Sequence, residues 1–257
     1  MYYHIKESLN YQNPKIVICS VRSLFWENEK TIDEVEASVR NGMDCTPLSL
    51  AKLEAAYNIS KESEWQTMLS FVCPIVKYHN TWTSMSLFKN DIQYDHLHGQ
   101  NAMYMQKSFT EDPRNSYNST IEPKVSNNSL YWYKEIATLC SDNGIRLLFL
   151  EMPAEDWTVG KYNVILDIAD ECEADVLDFN VENIMKQCNL MWEEDFYDGY
   201  HLNTRGSLKA SEYLAQYIKD KYGLNASVIS QNHKKQIEKD IMQFEEEQKK
   251  AVYEVVN

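Results

Sequence analysis

Buried strands that alternate with helices constrain the fold of this chain more than any other feature. The stretch "IRLLFLEMP" (145–153) is a nearly continuous apolar run of strand length, and "DVLDFN" (175–180) is a shorter one. Helical patterns flank the longer run, in "SLYWYKEIATLCSDNG" (129–144) and "KYNVILDIADECEA" (161–174). Fully apolar strands separated by helices are typical of a parallel sheet that helices cover. The sequence therefore predicts an α/β fold with a mainly parallel sheet.

The first part of the chain supplies further elements of the same kind. After a proline, the β-branched run "PKIVICSV" (14–21) predicts another buried strand. The first ten residues are typical of the end of a helix, and "TPLSLAKLEAAYNI" (46–59) predicts a full one.

The sequence also predicts where two of the helices begin and end. We expect Ser129 to cap the helix in 129–144, and Gly144 to stop it. Asn203 or Thr204 is expected to cap a later helix that Gly223 ends.

A chain of 257 residues fits one domain, or one domain with an appendage. We assign residues 1–225 to the α/β domain and 226–257 to an amphipathic C-terminal helix. The partial apolar stripe of that helix consists of Ile237, Ile241, Phe244, Val252 and Val255. We expect the helix to pack on the domain or on a partner protein.

Charge and hydropathy exclude several classes of partner. The formal net charge is −14, which repels phosphate backbones and argues against nucleic acid. No run approaches the roughly 18 apolar residues of a membrane span, and the polar start does not read as a signal peptide. As written, the chain is expected to be soluble.

One polar stretch contains residue types that can bind a metal. His96 and His98, with Asp95, alternate along a polar stretch, but further ligands are missing nearby. We expect a solvated loop there, and neither a metal nor another cofactor.

The stretch "FYDGYHLNTRG" (196–206) carries the most specific chemistry. Asp198 precedes His201 by three residues, on a turn that leads into a helix. An aspartate that holds Nδ1–H leaves Nε2 of the imidazole free to take a proton. The spacing fits a general base and its orienting acid, and it equally fits a pair that only stabilises a turn.

This motif and its surroundings resemble a known family. The stretch "FYDGYHLNTRGSLKASEYLAQYI" is similar to the last block of the SGNH (GDSL-like) hydrolase superfamily. "YYHIKESLNYQNPKIVICSVRSLFW", "TPLSLAKLEAA", "PIVKYHNTWTSM" and "VLDFN" resemble segments of one bacterial branch, related to the D-alanyl-transfer protein of teichoic acid operons. The resemblance spans roughly residues 1 to 222.

The resemblance implies a three-layer α/β/α (flavodoxin-like) SGNH fold and a Ser-His-Asp triad. His201 would be the base and Asp198 its partner, in an acyl-ester hydrolase or acyltransferase that acts on a cell-envelope carbohydrate. A parent protein of this family would be extracytoplasmic and membrane-anchored.

The nucleophile is the main departure from the family pattern. The chain has no Gly-Ser turn after a strand, and "PKIVICSV" resembles the second strand of the family. The resemblance therefore implies a first strand and a serine upstream of Met1, and impaired activity without them. Inside the chain, Ser20 is the candidate, because it follows a strand.

Substrate contacts are expected in "KYHNTW". His79, Asn80 and Trp82 could contact a sugar, or they could belong to a helix start or a packing cluster. Thr81 stands where the bacterial branch often has an arginine. Glu151 and Asp156 flank Pro153. They could line an active-site cleft, or they could equally be carboxylates of a loop without a role in the site.

A second function remains open from the sequence. A non-catalytic accessory or binding protein could keep the SGNH fold without its chemistry, and the missing nucleophile block and the extra C-terminal helix favour it.

Overall fold

The computed structural model describes residues 1–25, 33–64, 66–78, 96–97, 102–107, 109–225 and 229–256. The helices are α1 Tyr2–Ser8, a 3-10 turn Arg22–Phe25, α2 Glu36–Cys45, α3 Leu50–Lys61, α4 Met68–Val72, α5 Ile75–Tyr78, α6 Asn127–Asp142, α7 Val159–Glu171, α8 Glu182–Gln187, α9 Thr204–Tyr222 and α10 Gln231–Lys250. The strands are β1 Ile16–Ser20, β2 Met105–Lys107, β3 Arg146–Glu151, β4 Asp175–Asp178 and β5 Glu254–Val256. No helix in these ranges is long and apolar enough to cross a membrane.

Three strands confirm the predicted α/β class. The sheet has the order β1–β3–β4, and these strands lie inside the three apolar runs that predicted them. A second, two-stranded sheet pairs β2 with β5 in parallel, with Met105 opposite Glu254. Strands and intervening helices thus follow each other in the expected order, with a small and mainly parallel sheet.

The chain divides into two compact units. The first consists of Met1–Asn90, Glu122–Phe149 and Val164–Val176, and the second of Asp91–Ile121, Leu150–Asn163 and Leu177–Asn257. The assignment of residues 1–225 to one domain stays a prediction.

The first unit is built around β1, β3 and α6. Leu148 and Phe149 of β3 are fully buried, and the ring of Phe149 meets Tyr133 of α6 edge-on at 5.6 Å. A second apolar cluster joins three helices through Met43, Ala55, Ala56 and Phe71. These contacts explain why the apolar runs form buried elements, since burying an aliphatic or aromatic side chain stabilises by roughly 1.5–3 kcal/mol.

The start of α6 differs from the expectation. Ser126, not Ser129, is the N-cap, and its hydroxyl accepts a hydrogen bond from the Ser129 backbone N–H at 3.2 Å. The Ser129 hydroxyl instead donates to the carbonyl of Ser23 at 2.9 Å. The helix therefore begins at Asn127, three residues earlier than a cap at Ser129 predicts, and Gly144 follows its end with a φ of +64°.

The second unit contains α9, which begins directly after the Asp-x-x-His motif. Asn203 caps it by accepting hydrogen bonds from the backbone N–H groups of Arg205 and Gly206, at 3.0 and 3.1 Å. Gly223 ends it in the left-handed region, with a φ of 63°. Both ends confirm the sequence prediction, and Trp157, Phe179 and other buried rings form the core of this unit.

Helix α10 also belongs to the second unit. Ile237, Ile241 and Phe244 of the predicted stripe lie on it, where they line a groove with residues of α9. Val252 and Val255 lie beyond its end, and Val255 is part of β5.

Candidate active site

Asp198 and His201 lie on a short reversal of the chain, which we call the dyad turn (residues 196–203). Phe196 and Leu202 form an antiparallel bridge across it, and the Tyr197 backbone N–H donates to the His201 carbonyl at 2.9 Å. The turn is therefore fixed by backbone pairing on both sides of the two candidate residues, so that their relative position is set by the main chain.

The Asp198 carboxylate organises this turn. Its Oδ1 accepts hydrogen bonds from the backbone N–H groups of Tyr200, at 2.7 Å, and His201, at 2.8 Å. Its Oδ1 and Oδ2 lie 3.0 and 2.9 Å from Nδ1 of the His201 ring. Because an ionised carboxylate only accepts hydrogen bonds, Nδ1 must carry the proton. One side chain thus fixes both the turn and the ring.

The charge of Asp198 follows from these contacts. Partial burial by itself raises the pKa of this carboxyl group. The hydrogen bond from the His201 ring and those from the two backbone N–H groups outweigh burial, so the pKa lies below its ordinary value of 3.8. At neutral pH the group is therefore ionised, which suits a residue that must stabilise a neighbouring imidazolium.

The second ring nitrogen of His201 is accessible. The His201 side chain is 70% exposed, and no residue in the described ranges hydrogen-bonds its Nε2. A ring whose Nδ1–H is held by a carboxylate presents an unprotonated Nε2 when it is neutral. The pair can therefore take a proton from a hydroxyl group or a water molecule that approaches Nε2.

A second loop, which contains Glu155, packs against the dyad turn. The Glu155 backbone N–H donates to the Gly199 carbonyl at 2.8 Å. The Glu155 carboxylate lies against Gly199, where a Cβ atom would overlap Oε2 and Cδ of Glu155. A glycine between Asp198 and His201 therefore lets the Glu155 carboxylate pack directly against the backbone of the turn.

A buried polar network holds the loop that carries Glu155. Asn180, which is fully buried, accepts a hydrogen bond from the Ala154 N–H at 2.9 Å and donates to the Met152 carbonyl at 3.0 Å. Asp178 accepts from the Trp157 indole at 2.7 Å and from the Asn180 backbone and side chain at 2.8 Å each.

The same network has one cationic member. Arg114 donates to the Asn180 carbonyl at 2.6 Å, and its guanidinium also pairs with Asp112. Desolvation by burial raises the pKa of Asp178, and the hydrogen bonds from Asn180 and Trp157 only partly oppose this. The network is a structural support at the end of β4, since its polar groups bind each other.

A partly buried ion pair fixes the other flank of the dyad turn. Asp195 is fully buried, and its Oδ2 accepts hydrogen bonds from Lys209 Nζ of α9 at 2.7 Å and from the Met191 N–H at 2.8 Å. The Asn203 N–H donates to the Asp195 carbonyl at 2.9 Å. The segment before the turn is thus tied to the helix after it.

A polar cleft of about 650 Å³ opens beside Tyr200 of the dyad turn. Its other lining residues come from the supporting loop, with Glu155 and Asp156, and from 109–116, which includes Glu111 and Asp112. Carboxylate oxygens accept hydrogen bonds from hydroxyl groups. The cleft is therefore suited to a polar ligand that is rich in hydroxyl groups.

The other candidate site residues lie elsewhere or outside the described ranges. Ser20 ends β1 in the first unit, where its carbonyl accepts a hydrogen bond from the Tyr133 hydroxyl. His79, Asn80 and Trp82 fall in 79–95, outside the described residues.

The structure also bears on the carboxylates around Pro153 and on the stretch that contains His96. Glu151 is buried at the end of β3, whereas Asp156 lines the polar cleft and pairs with Lys161 at 3.0 Å. The prediction of a solvated loop is wrong for His96, whose side chain is 13% exposed and lies 2.9 Å from Glu247 of α10. Asp95 and His98 lie outside the described residues.

Sequence reasoning missed Glu155, Gly199, Asn180 and the Asp195–Lys209 pair. Asp178 and Asn180 stand two apart at the end of the predicted strand "DVLDFN", and two such polar side chains there are the available signal. No signal in the sequence pairs Asp195 with Lys209, because that contact depends on how the segment before α9 folds back.

Comparison with known proteins does not extend this geometry. No protein-family model matches the chain, and neither a curated protein nor a solved structure is detectably similar to it.

Proposed function

We propose that this chain carries the acid–base half of an SGNH-like serine hydrolase or acyltransferase that acts on acyl esters of a cell-envelope carbohydrate. The observation that carries the proposal is the hydrogen bond between Asp198 and Nδ1 of His201, with Nε2 exposed. The resemblance of "FYDGYHLNTRG" to the last block of that superfamily supports the same roles. The three-layer α/β/α fold belongs to this proposal.

The proposed chemistry begins with a serine hydroxyl. Its Oγ attacks the acyl carbonyl carbon while its proton passes to Nε2 of His201, and Asp198 stabilises the imidazolium. Collapse of the tetrahedral intermediate breaks the ester bond, and the leaving alcohol takes the proton from Nε2. Water, or the hydroxyl of an acceptor, then releases the acyl group by the same steps.

The cleft supports the choice of a carbohydrate. Tyr200 belongs to both the dyad turn and the cleft lining, so the cleft reaches the residue that directly precedes the proposed base. Four carboxylates line the cleft, those of Glu111, Asp112, Glu155 and Asp156, of which Asp112 and Asp156 also pair with Arg114 and Lys161. A ligand with many hydroxyl groups satisfies such acceptors without carrying a charge.

A second function is favoured by one specific observation. Within the described ranges, no serine or threonine hydroxyl is hydrogen-bonded to Nε2 of His201, whereas a catalytic triad needs that contact. A binding or accessory protein that retains the turn as a structural feature would show the same geometry. The nucleophile decides between the two functions.

A fluorophosphonate probe tests the proposal, because it bonds covalently to an activated serine. We expect one labelled peptide by mass spectrometry, with Ser20 as the candidate, and loss of labelling in His201→Ala and in Ser20→Ala. His233→Ala is the matched control, because His233 is an exposed histidine on α10. Labelling that persists unchanged in His201→Ala contradicts the assignment, and a folded protein without any label supports the accessory function.

A further inference from the structure

The first unit contains a groove of about 400 Å³ that is far more aromatic than the polar cleft. Tyr2 and Tyr3 of α1 and Trp132 of α6 line it, and we call it the aromatic groove. Ring centroids lie 5.1 Å apart for the two tyrosines, and 5.4 and 5.7 Å from Trp132 to Tyr2 and Tyr3. The volume falls within the usual range of ligand pockets, roughly 300–1,000 Å³.

The three rings are amphipathic rather than purely apolar. Each is half-buried, so that part of its surface remains available to a ligand. Tyrosine and tryptophan combine a large apolar face with a polar group, and both are rigid, which keeps the entropic cost of ordering them small. They are suited to a ligand that has one apolar face and a polar edge.

Uncommitted polar groups surround the rings. Asn128 and Glu62 are exposed and line the groove, and no residue in the described ranges hydrogen-bonds either side chain. Asn58 donates through Nδ2 to the Tyr3 hydroxyl, which leaves its carbonyl oxygen available as an acceptor. The groove therefore offers amide donors and several acceptors next to the aromatic faces.

Some polar groups in the groove lining already hydrogen-bond to other groups of the protein. The Ser129 hydroxyl donates to the Ser23 carbonyl, and the Ser23 hydroxyl lies 2.9 Å from the Tyr133 hydroxyl. These groups are committed to the fold. A ligand would therefore bind at the rings and at the rim, which Asn58, Glu62 and Asn128 form.

The charged side chains of the lining also limit which charge a ligand can carry. Glu62 is the acidic side chain that lines the groove, and the lining includes no arginine, lysine or histidine among the described residues. A phosphate or carboxylate ligand would therefore meet no cationic side chain there, and burial lowers the pKa of the Met1 amino group, which also belongs to the lining. A neutral ring with hydroxyl groups on its edge needs none, since amide and carboxylate groups can bind its hydroxyls.

We infer that the aromatic groove is a binding site for a neutral saccharide, with a pyranose ring stacked on the Trp132 indole beside the two tyrosines and with Asn128 and Glu62 bound to its hydroxyls. This site goes beyond the proposed acyl-ester chemistry, because it involves neither Asp198 nor His201. It assigns to the first unit a carbohydrate-binding function of its own.

Calorimetric titration with maltotriose, cellotriose and chitotriose tests this inference, with sorbitol as the control ligand that has hydroxyl groups but no ring. We expect at least one trisaccharide to bind and sorbitol not to bind. Asn128→Ala and Trp132→Phe should each weaken binding about tenfold, since each removes a direct contact or the best stacking face.

The control variants separate folding from recognition. Tyr11→Ala removes a tyrosine that is 69% exposed and does not line the groove, so binding should be unchanged. Asn128 is exposed, so that its alanine variant should unfold at the wild-type temperature. Failure of all three trisaccharides to bind overturns the inference, and so does binding that neither groove variant weakens.

The outcome is independent of the proposed catalysis. His201→Ala should bind the trisaccharide as the wild type does, and Asn128→Ala should react with the fluorophosphonate probe as the wild type does. A loss of saccharide binding in His201→Ala would place the ligand at the dyad turn and would overturn the inference.

Discussion

Asp178 and Asp198 are two aspartates of the same unit that accept similar numbers of hydrogen bonds in opposite surroundings. The Asp178 residue is 2% exposed, and its donors are Trp157 and Asn180. The Asp198 side chain is 36% exposed, and its donors are two backbone N–H groups and the His201 ring.

The surroundings give the two carboxyl groups opposite pKa shifts. Burial dominates at Asp178 and raises its pKa, because its direct donors are uncharged. At Asp198 the hydrogen bonds, including the one from the ring of His201, outweigh burial and lower the pKa. Asp178 therefore supports the fold, whereas Asp198 remains ionised beside a base that solvent can reach. In these two aspartates, burial and the nature of the donors distinguish the structural residue from the candidate catalytic one, whereas the number of hydrogen bonds does not.

Removal of Asp178 should have the largest effect on stability. Asp178→Ala leaves the Trp157 indole and the Asn180 N–H without acceptors in the core, which should lower the free energy of unfolding by about 2–4 kcal/mol. Urea unfolding measures this change. Asp167→Ala is the control, since Asp167 is exposed on α7, and it should change stability by less than about 0.5 kcal/mol. Equal stability of the two variants would contradict the structural role of Asp178.

Disruption of the contact between Glu155 and Gly199 should have an intermediate effect on stability. Gly199→Ala places a Cβ against the Glu155 carboxylate, and we expect it to cost about 1–2 kcal/mol in the free energy of unfolding. Glu155→Ala should remove most of that cost in the double variant, because the overlapping atoms are then absent. A double-mutant cycle from urea unfolding gives the coupling, and strictly additive changes would contradict the packing of the Glu155 carboxylate against Gly199.

The sequence predicts those features of the fold that depend on local pattern. Gly223 ends α9 and Asn203 caps it as expected, because a left-handed residue and a capping side chain act within one helical turn. The sequence predicts Ser129 as the N-cap of α6, whereas the structure has Ser126, since two serines three residues apart are equally good caps in isolation.

For the same reason, the sequence predicts only part of the candidate site. Asp198 and His201 are three residues apart, so that the motif alone predicts their contact. Glu155 lies against Gly199 although 44 residues separate them, because Asn180 and Asp178 hold the loop that carries Glu155. Contacts of this kind depend on the tertiary fold and leave no periodic signal in the sequence.

Loss of the charge on Asp198 should have the smallest effect on stability, and that effect should depend on pH. Asp198→Asn keeps the side-chain carbonyl that accepts the two backbone N–H groups, so that the cost should stay below about 1 kcal/mol for this partly exposed pair. Because the pKa of Asp198 is lowered in the folded protein, its contribution is present above the ordinary value of 3.8 and is lost as the pH falls through the folded pKa.

Unfolding free energies of the wild type and Asp198→Asn, measured from about pH 7 downward, give this contribution as their difference. The difference should shrink below the ordinary aspartate pKa. A difference that grows in acid would mean that Asp198 is protonated more readily in the folded chain, contrary to its contacts. Asp167→Asn serves as the matched control and should show no such trend.

The claim that Asp198 orients His201 as a base is tested most directly by the tautomer of the His201 ring. Nitrogen-15 NMR of the neutral ring, with His201→Ala to identify its signals and Asp198→Asn for comparison, distinguishes a protonated from an unprotonated nitrogen. We expect the proton on Nδ1 and an unprotonated Nε2 in the wild type, because the carboxylate holds Nδ1–H. A proton on Nε2, with the same spectrum in Asp198→Asn, would show that Asp198 does not orient the ring and would contradict the account.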